Sequence, residues 1–161
     1  MLLASAPGWE HKVNLGTEFV ARSIADVSEL LRDVGWGRSD WCEVCRLLEK
    51  VLPGSAPSIA SYDLSRPAVR SAFYSGMDEA FVASYVAHYV KVNRWIEYWA
   101  GVPLGTVAIS ERESPSSAFA GTEFWTDWLS RQDNMAAAVG TRLDVTARNI
   151  VHVAWHYNAA S

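Results

Sequence analysis

The chain has 161 residues, of which 50% are hydrophobic and 20% charged, and its net charge is −4. These values are typical of one globular domain and exclude an extensively disordered chain. The acidic balance offers no attraction for nucleic acid or an anionic membrane, and no apolar run is long enough to span a bilayer.

The sequence predicts a short N-terminal tail over residues 1–16 and a single domain over residues 17–158. The first residues lack the positive start and long apolar stretch of a secretion signal. The chain has two cysteines, which is too few for a disulfide framework, so a cytoplasmic location is expected.

Two amphipathic helices are predicted first. Apolar residues recur at three- and four-residue steps from Thr17 to Val34, and Gly35 can end that helix in a left-handed conformation. Asp40 is suited to cap the second helix, while Glu43 reaches back toward the cap. The exposed face of the first helix is our candidate for a homodimer contact.

The middle of the chain is predicted to alternate between strands and helices. Strands are expected over residues 58–64 and 67–74, and a third helix from a Ser75 cap to Val92. A short helical turn carrying Trp95 and Trp99 follows it.

The last third is predicted to complete the sheet. Residues 105–110 are expected to form a central strand, 111–117 a polar loop and 122–131 a fourth helix. A hairpin over residues 137–143 and 149–157 ends the domain, and its last strand alternates clearly between two faces. The predicted fold is therefore α+β, with a five-stranded, largely antiparallel sheet flanked by helices in a PAS/GAF-like α/β/α sandwich.

Aromatic residues are the unusual feature of the composition, with eight Trp, six Tyr and five Phe. Those of the central helices, together with a few polar groups, suit a mostly apolar cleft for a small organic molecule. The predicted ligand-binding residues are Tyr74, Phe81, Tyr85, His88, Tyr89, Asn93, Trp95, Trp99, Phe124, Trp125 and Trp128. The alternative for the same residues is a packed aromatic core, and a cavity above about 300 Å³ would separate the two.

The segment from Trp41 to Cys45 has the spacing of a thioredoxin-like motif, and a thiol in a first helical turn is activated by the helix dipole. It does not follow a strand as that motif does, which favours two structural cysteines. Catalysis by Cys42 is therefore a minor alternative to a non-enzymatic role.

A metal site is not expected. Cys42 and Cys45 have a permitted spacing, but His152 and His156 lie on a strand roughly 13 Å apart, too far to share one ion. No phosphate-binding loop or other cofactor motif is present, so no cofactor is predicted.

Three segments resemble the sensor region of LuxR-type transcription regulators. They are YVAHYVKVNRWIEYWA (85–100), GTVAISE (105–111) and TEFWTDWLSRQ (122–132). Many of these regulators have roughly Y-x-x-H-Y-x-x-x-N-P-W, then P-x-G-T-V, then T-E-F-Y-x-D-W-L-x-x-Q. The resemblance covers residues 15–158 and implies a ligand-sensing domain that acts on DNA through a separate helix-turn-helix domain, which this chain is expected to lack.

The chain also resembles, more distantly, the acyl-homoserine-lactone-binding domains of quorum-sensing regulators. Phe81 and Tyr85 match an aromatic pair of that family, whereas Asn93 stands near its Asp and Arg94 replaces its Pro. The neutral amide of Asn93 accepts hydrogen bonds without charge assistance, so the resemblance does not predict a lactone as ligand. The sequence thus favours a sensor of an unidentified, largely apolar small molecule; the alternative is a structural dimerisation module.

Overall fold

The structure is a computed structural model that describes residues 16–132, 135–146 and 148–158. Of the predicted N-terminal tail, residues 1–15 lie outside the described part of the chain. The helices are α1 (Thr17–Gly35), α2 (Trp41–Val51), α3 (Glu79–Ala87), α4 (Trp95–Gly101) and the single turn α5 (Ser110–Glu113). The strands are β1 (Ala56–Asp63), β2 (Ala68–Tyr74), β3 (Ala108–Ile109), β4 (Ala137–Val145) and β5 (Asn149–Tyr157).

All five strands join one antiparallel sheet in the order β2-β1-β5-β4-β3. The predicted α+β fold, with a five-stranded sheet flanked by helices, is therefore confirmed. The central pair of β1 and β5 is in register along its full length, from Ala56 opposite His156 to Asp63 opposite Asn149.

Helices cover both faces of the sheet. On one face α1 and α2 pack over Ile59 of β1 and over Val153 and Trp155 of β5. The opposite face carries Ala60, Tyr62 and Ile150, and the chain from α3 to residue 131 packs against it. The larger core cluster lies on this second face, where the buried tryptophans are concentrated. None of the described helices has the length and apolarity required to cross a bilayer.

The first two helices form largely as the sequence predicts. Asp40 caps α2 by accepting a hydrogen bond from the backbone N–H of Glu43 at 2.9 Å. The Glu43 carboxylate, however, accepts from the Ser39 hydroxyl. Gly35 is the last residue of α1, and the left-handed conformation occurs two residues later, at Gly37 with φ of 69°.

The third helix differs from the prediction at both ends. Ser75 does not cap it, because its hydroxyl donates to the Glu49 carboxylate. The cap is Asp78, whose carboxylate accepts from two backbone N–H groups in the first turn at 2.8 and 3.1 Å. The helix ends at Ala87, and a 3₁₀ turn (Tyr89–Lys91) replaces the predicted last turns.

The predicted central strand over 105–110 is wrong in both length and position. Only Ala108 and Ile109 are extended, and β3 lies at the sheet edge beside β4. The residues before β3 form a turn instead. In this turn the N–H of Thr106 donates to the carbonyl of Pro103, and Gly105 has a φ of 72°. The expected polar loop contains α5 and a 3₁₀ turn (Ser116–Phe119).

The predicted fourth α-helix is also a different element. Residues Phe124–Trp128 form a π-helical turn and Leu129–Arg131 a 3₁₀ turn. π-Helical turns are rare and occur frequently at functional sites. Here the turn buries Phe124, Trp128 and Leu129 together.

Candidate functional site

A cavity lies between the second face of the sheet and the layer formed by α3, α4 and the π-helical turn. The volume of this cavity is about 70 Å³. Ligand pockets typically measure roughly 300–1,000 Å³, so the cavity is narrow in this conformation. Its wall is formed by Ser58, Ala60, Tyr62, Val69, Ala72, Tyr74, Met77, Val82, Tyr85, Val86, Asn93, Trp95, Ile96, Trp99, Phe124, Trp128, Met135, Ile150, His152 and His156.

The structure brings seven of the predicted ligand-binding residues to the cavity wall and leaves four outside it. The seven are Tyr74, Tyr85, Asn93, Trp95, Trp99, Phe124 and Trp128; the four are Phe81, His88, Tyr89 and Trp125. Whether the seven bind a ligand stays a prediction.

The four outside residues have other contacts. His88 is exposed and pairs with the Glu123 carboxylate on the outer surface. The rings of Phe81, Tyr89 and Trp125 are half-buried and pack against the aromatic core. They support the wall but do not line the cavity. The side chains that point inward are Val82, Tyr85 and Val86 in α3, and Phe124 and Trp128 in the π-helical turn.

A small hydrogen-bond network positions the aromatic side chains at the junction of α3 and α4. The Asn93 Nδ2 donates to the Tyr85 hydroxyl at 2.7 Å, and Asn93 Oδ1 accepts from the backbone N–H of Trp95 at 2.8 Å. The indole of Trp95 donates to the carbonyl of Ser114 at 2.9 Å. Asn93 therefore orients Tyr85 and begins α4, instead of leaving its amide free for a ligand.

The π-helical turn contributes two stacked rings to the cavity. The ring centroids of Phe124 and Trp128 are 5.4 Å apart, and the ring planes are inclined by only 19°. Trp128 is fixed further by its indole N–H, which donates to the carbonyl of Phe81 at 3.0 Å, and by contact with the Tyr85 ring at 4.9 Å.

The floor of the cavity is the sheet itself, of which the sequence-based site included only Tyr74 of β2. Alternate residues of β1 and β5 face the cavity, namely Ser58, Ala60 and Tyr62 on one strand and Ile150, His152 and His156 on the other. The alternation in β5 does place the two histidines on one face, which is the signal that could have found them. Alternation alone does not show which face meets the aromatic layer.

His152 is held between two aromatic rings. Its imidazole stacks on the Tyr62 ring, with the ring centroids 5.2 Å apart and the ring planes inclined by 4°. On its other side it stacks on the Trp99 ring, with a centroid distance of 5.8 Å and an inclination of 12°. In the same row of the sheet, Ala60 lies opposite His152 and Ala72 lies opposite Ala60. The two small side chains leave the space that the cavity occupies.

The floor is polar but uncharged at neutral pH. Burial lowers the pKa of His152 to about 4, and burial with the neighbouring His152 lowers the pKa of His156 to about 3. Burial raises the pKa of the Tyr62 and Tyr85 hydroxyls, so both phenols stay protonated. The cavity therefore offers hydrogen-bonding groups without ionised side chains.

The two cysteines lie on the other side of the sheet. Cys42 is half-buried and Cys45 is buried with Ile59 beneath α2; burial raises the pKa of Cys45 to about 12. Within the described ranges, the His, Cys, Asp and Glu side chains form no group of three or more that could hold a metal ion.

The fold of this chain is similar to that of a protein of known structure. The chain superposes on the crystal structure of the VqsR LBD domain from Pseudomonas aeruginosa with a TM-score of 0.63 and 12% sequence identity, over 89% of this chain and 82% of the other. At this identity the similarity shows a shared fold. No protein-family model matches the chain, and no curated protein matches it significantly.

Proposed function

We propose that this protein is the ligand-sensing domain of a LuxR-type transcription regulator and binds a small, largely apolar molecule without catalysing a reaction. The observation that carries the proposal is the cavity between the sheet and the helical layer, with seven aromatic or amide side chains of the predicted site in its wall. A mostly apolar pocket with a few placed polar groups is the usual form of a small-molecule site.

The fold supports the same assignment. The VqsR domain with which the chain shares its fold is the ligand-binding domain of a LuxR-type regulator. The three sequence segments that resemble LuxR-type sensors include most of α4, the π-helical turn and all of β3. These segments bring Trp95, Trp99, Phe124 and Trp128 to the cavity wall.

Ligand entry requires the cavity to widen. Met77 and Met135 line it, and unbranched thioether side chains adapt readily to a new shape. The helical layer between residues 79 and 131 consists of short α, 3₁₀ and π segments. A ligand that binds the widened state more tightly would shift the population toward it, and a DNA-binding domain would respond to that shift.

We propose further that α1 pairs with the same helix of a second copy. Phe19, Val20, Ile24 and Leu31 are 39–62% exposed on this helix, whereas Val27, Leu30 and Val34 pack toward α2. In a two-fold antiparallel pair centred near residue 25, Glu18 of each copy would face Arg32 of the other.

A structural dimerisation module is the second candidate, and the cavity volume of about 70 Å³ favours it. If the rings pack without admitting a guest, the domain serves only to join two copies. The two functions differ in whether a small molecule stabilises the chain.

The test is a thermal-shift screen with one- and two-ring aromatic compounds, on the wild-type chain and on Ala72→Leu. The added methyl groups of Ala72→Leu fill the cavity beside Ala60, so compounds that raise the Tm of the wild type should not raise that of the variant. Ser71→Leu is the matched control, because Ser71 is exposed and outside the cavity wall on the same strand. If no compound separates the wild type from Ala72→Leu, the dimerisation module is the better account.

A further inference from the structure

The two histidines of the cavity floor carry an inference about the chemistry of the ligand, which rests on the proposed function. His152 is 5% exposed, and its Nδ1 has no hydrogen-bond partner among the described residues. The Nδ1 of His156 is likewise buried without a partner, while its Nε2 lies 3.3 Å from the Ser58 hydroxyl. Buried polar groups are usually satisfied, so each exception calls for a partner.

The cavity wall contains no Asp, Glu, Lys or Arg among the described residues. Arg142 of β4 lies opposite His152 on the same sheet face, and its Nε is buried without a partner among the described residues. Its guanidinium donates to the carbonyl of Ala100 at 2.5 Å, outside the cavity wall. An anion entering the cavity would therefore lose its hydration without gaining a counter-charge.

Stacking fixes the plane of the His152 imidazole between Tyr62 and Trp99. Its nitrogens can therefore act only at the edge of the ring, in the plane of the stack. A neutral imidazole has one donor and one acceptor nitrogen, and which is which depends on the tautomer. A hydroxyl group both donates and accepts, so it can satisfy either tautomer, whereas a carboxylate can only accept.

We propose that the cavity takes an uncharged aromatic molecule that carries a hydroxyl group, with the ring among Tyr85, Trp99 and Trp128 and the hydroxyl at His152. The ring packs against the aromatic side chains of the wall, and the hydroxyl provides the hydrogen bond that the buried His152 imidazole lacks. Acidic molecules of the same shape are excluded by the uncharged wall.

The experiment compares three probes of matched shape, 4-methylphenol, 4-methylbenzoate and toluene, by quenching of tryptophan fluorescence in the full chain at pH 7.5. Trp95, Trp99 and Trp128 line the cavity and report occupancy directly. We expect 4-methylphenol to bind about tenfold more tightly than toluene, the effect of one buried hydrogen bond. We expect 4-methylbenzoate to bind about a hundredfold more weakly than 4-methylphenol, because its charge is desolvated.

The variant His152→Phe keeps the aromatic stack and removes the polar edge. It should reduce the affinity for 4-methylphenol to that for toluene and leave toluene binding unchanged. His88→Phe is the matched control, since His88 is exposed outside the cavity, and it should keep the preference for the phenol. His152→Leu repeats the test in case His152→Phe does not fold, with the same expected loss.

The outcomes separate this inference from the proposed function. Equal binding of the phenol and toluene, or tighter binding of the benzoate, overturns the inference while the cavity remains a ligand site. If none of the three probes quenches the wild type more than Ala72→Leu, the proposed function fails and the inference fails with it.

Discussion

At the scale of single residues, we expect His152 to make the stability of this protein depend on pH. Burial between two aromatic rings keeps its imidazole neutral, with a pKa of about 4 against an ordinary value near 6.5. The unfolded chain therefore binds a proton more readily than the folded chain between pH 6.5 and pH 4. Stability is full above pH 6.5 and falls as the pH is lowered through this window.

We expect the free energy of unfolding to fall by on the order of 2–3 kcal/mol from His152 between pH 7 and pH 4. His156 adds to the loss, because its pKa is lowered in the same direction. Urea denaturation at a series of pH values measures this. His152→Phe should reduce the slope between pH 4 and 6.5 to the part that His156 contributes, whereas an unchanged slope in that variant would show that other groups cause the loss.

Asn93 is the second residue with a defined role. Asn93→Ala removes the partner of the Tyr85 hydroxyl and the acceptor for the Trp95 N–H. Leaving these groups unpaired should destabilise the domain by roughly 1–3 kcal/mol, measured as a lower urea midpoint. Asn93→Asp keeps the acceptor for the Trp95 N–H but cannot donate to the Tyr85 hydroxyl, so it should recover only part of the loss. Full recovery in Asn93→Asp would show that the hydrogen bond to Tyr85 contributes nothing to stability.

At the scale of elements, α1 is the surface whose role can be tested separately from the cavity. Ile24→Glu introduces a charge at the centre of the exposed stripe, where the side chain is 62% exposed, and should convert dimer to monomer with little change in Tm. Analytical ultracentrifugation measures the change. Leu104→Glu, at an exposed apolar residue elsewhere, is the matched control and should leave the oligomeric state unchanged.

A charge exchange tests the antiparallel geometry of the pair. Glu18→Arg and Arg32→Glu should each weaken the dimer, because each places like charges opposite one another across the two-fold axis. The double variant restores opposite charges and should recover dimerisation. Additive weakening in the double variant would mean that the two residues do not face each other.

Elements with a strong repeating pattern could be predicted from the sequence, and those shaped by local caps could not. The period of α1 and the alternation of β5 gave both elements nearly their observed bounds. The third helix was placed too early and too long, because Asp78 competes with Ser75 as a cap and the backbone leaves the helix at His88. The π-helical turn has no signal in side-chain spacing, since Phe124 and Trp128 also fit an α-helix.

At the scale of the whole molecule, the helical side of the candidate site could be predicted from the sequence, and most of its sheet side could not. The aromatic residues of the helical layer are conspicuous in the sequence, and seven of the eleven predicted residues line the cavity. The sheet floor was missed because His152, His156 and Tyr62 meet the helical layer only through the strand order, in which β5 lies between β1 and β4. That pairing joins segments about ninety residues apart, such as Ala60 and His152.

The sandwich places the two proposed functions on opposite faces of the sheet. The face under α1 and α2 is packed around Val44, Cys45 and Ile59 and supports the exposed stripe of α1. The opposite face holds the cavity. A ligand on one face and a second copy near the other would communicate through the strands that both layers contact, chiefly β1 and β5.

Native mass spectrometry of the full chain, incubated with a small-molecule extract of bacterial cells, tests the central claim most directly. We predict a wild-type species heavier than the chain by the mass of one small molecule per subunit, released on denaturation and absent from Ala72→Leu. Wild-type and Ala72→Leu spectra that both show only the bare chain would contradict ligand binding.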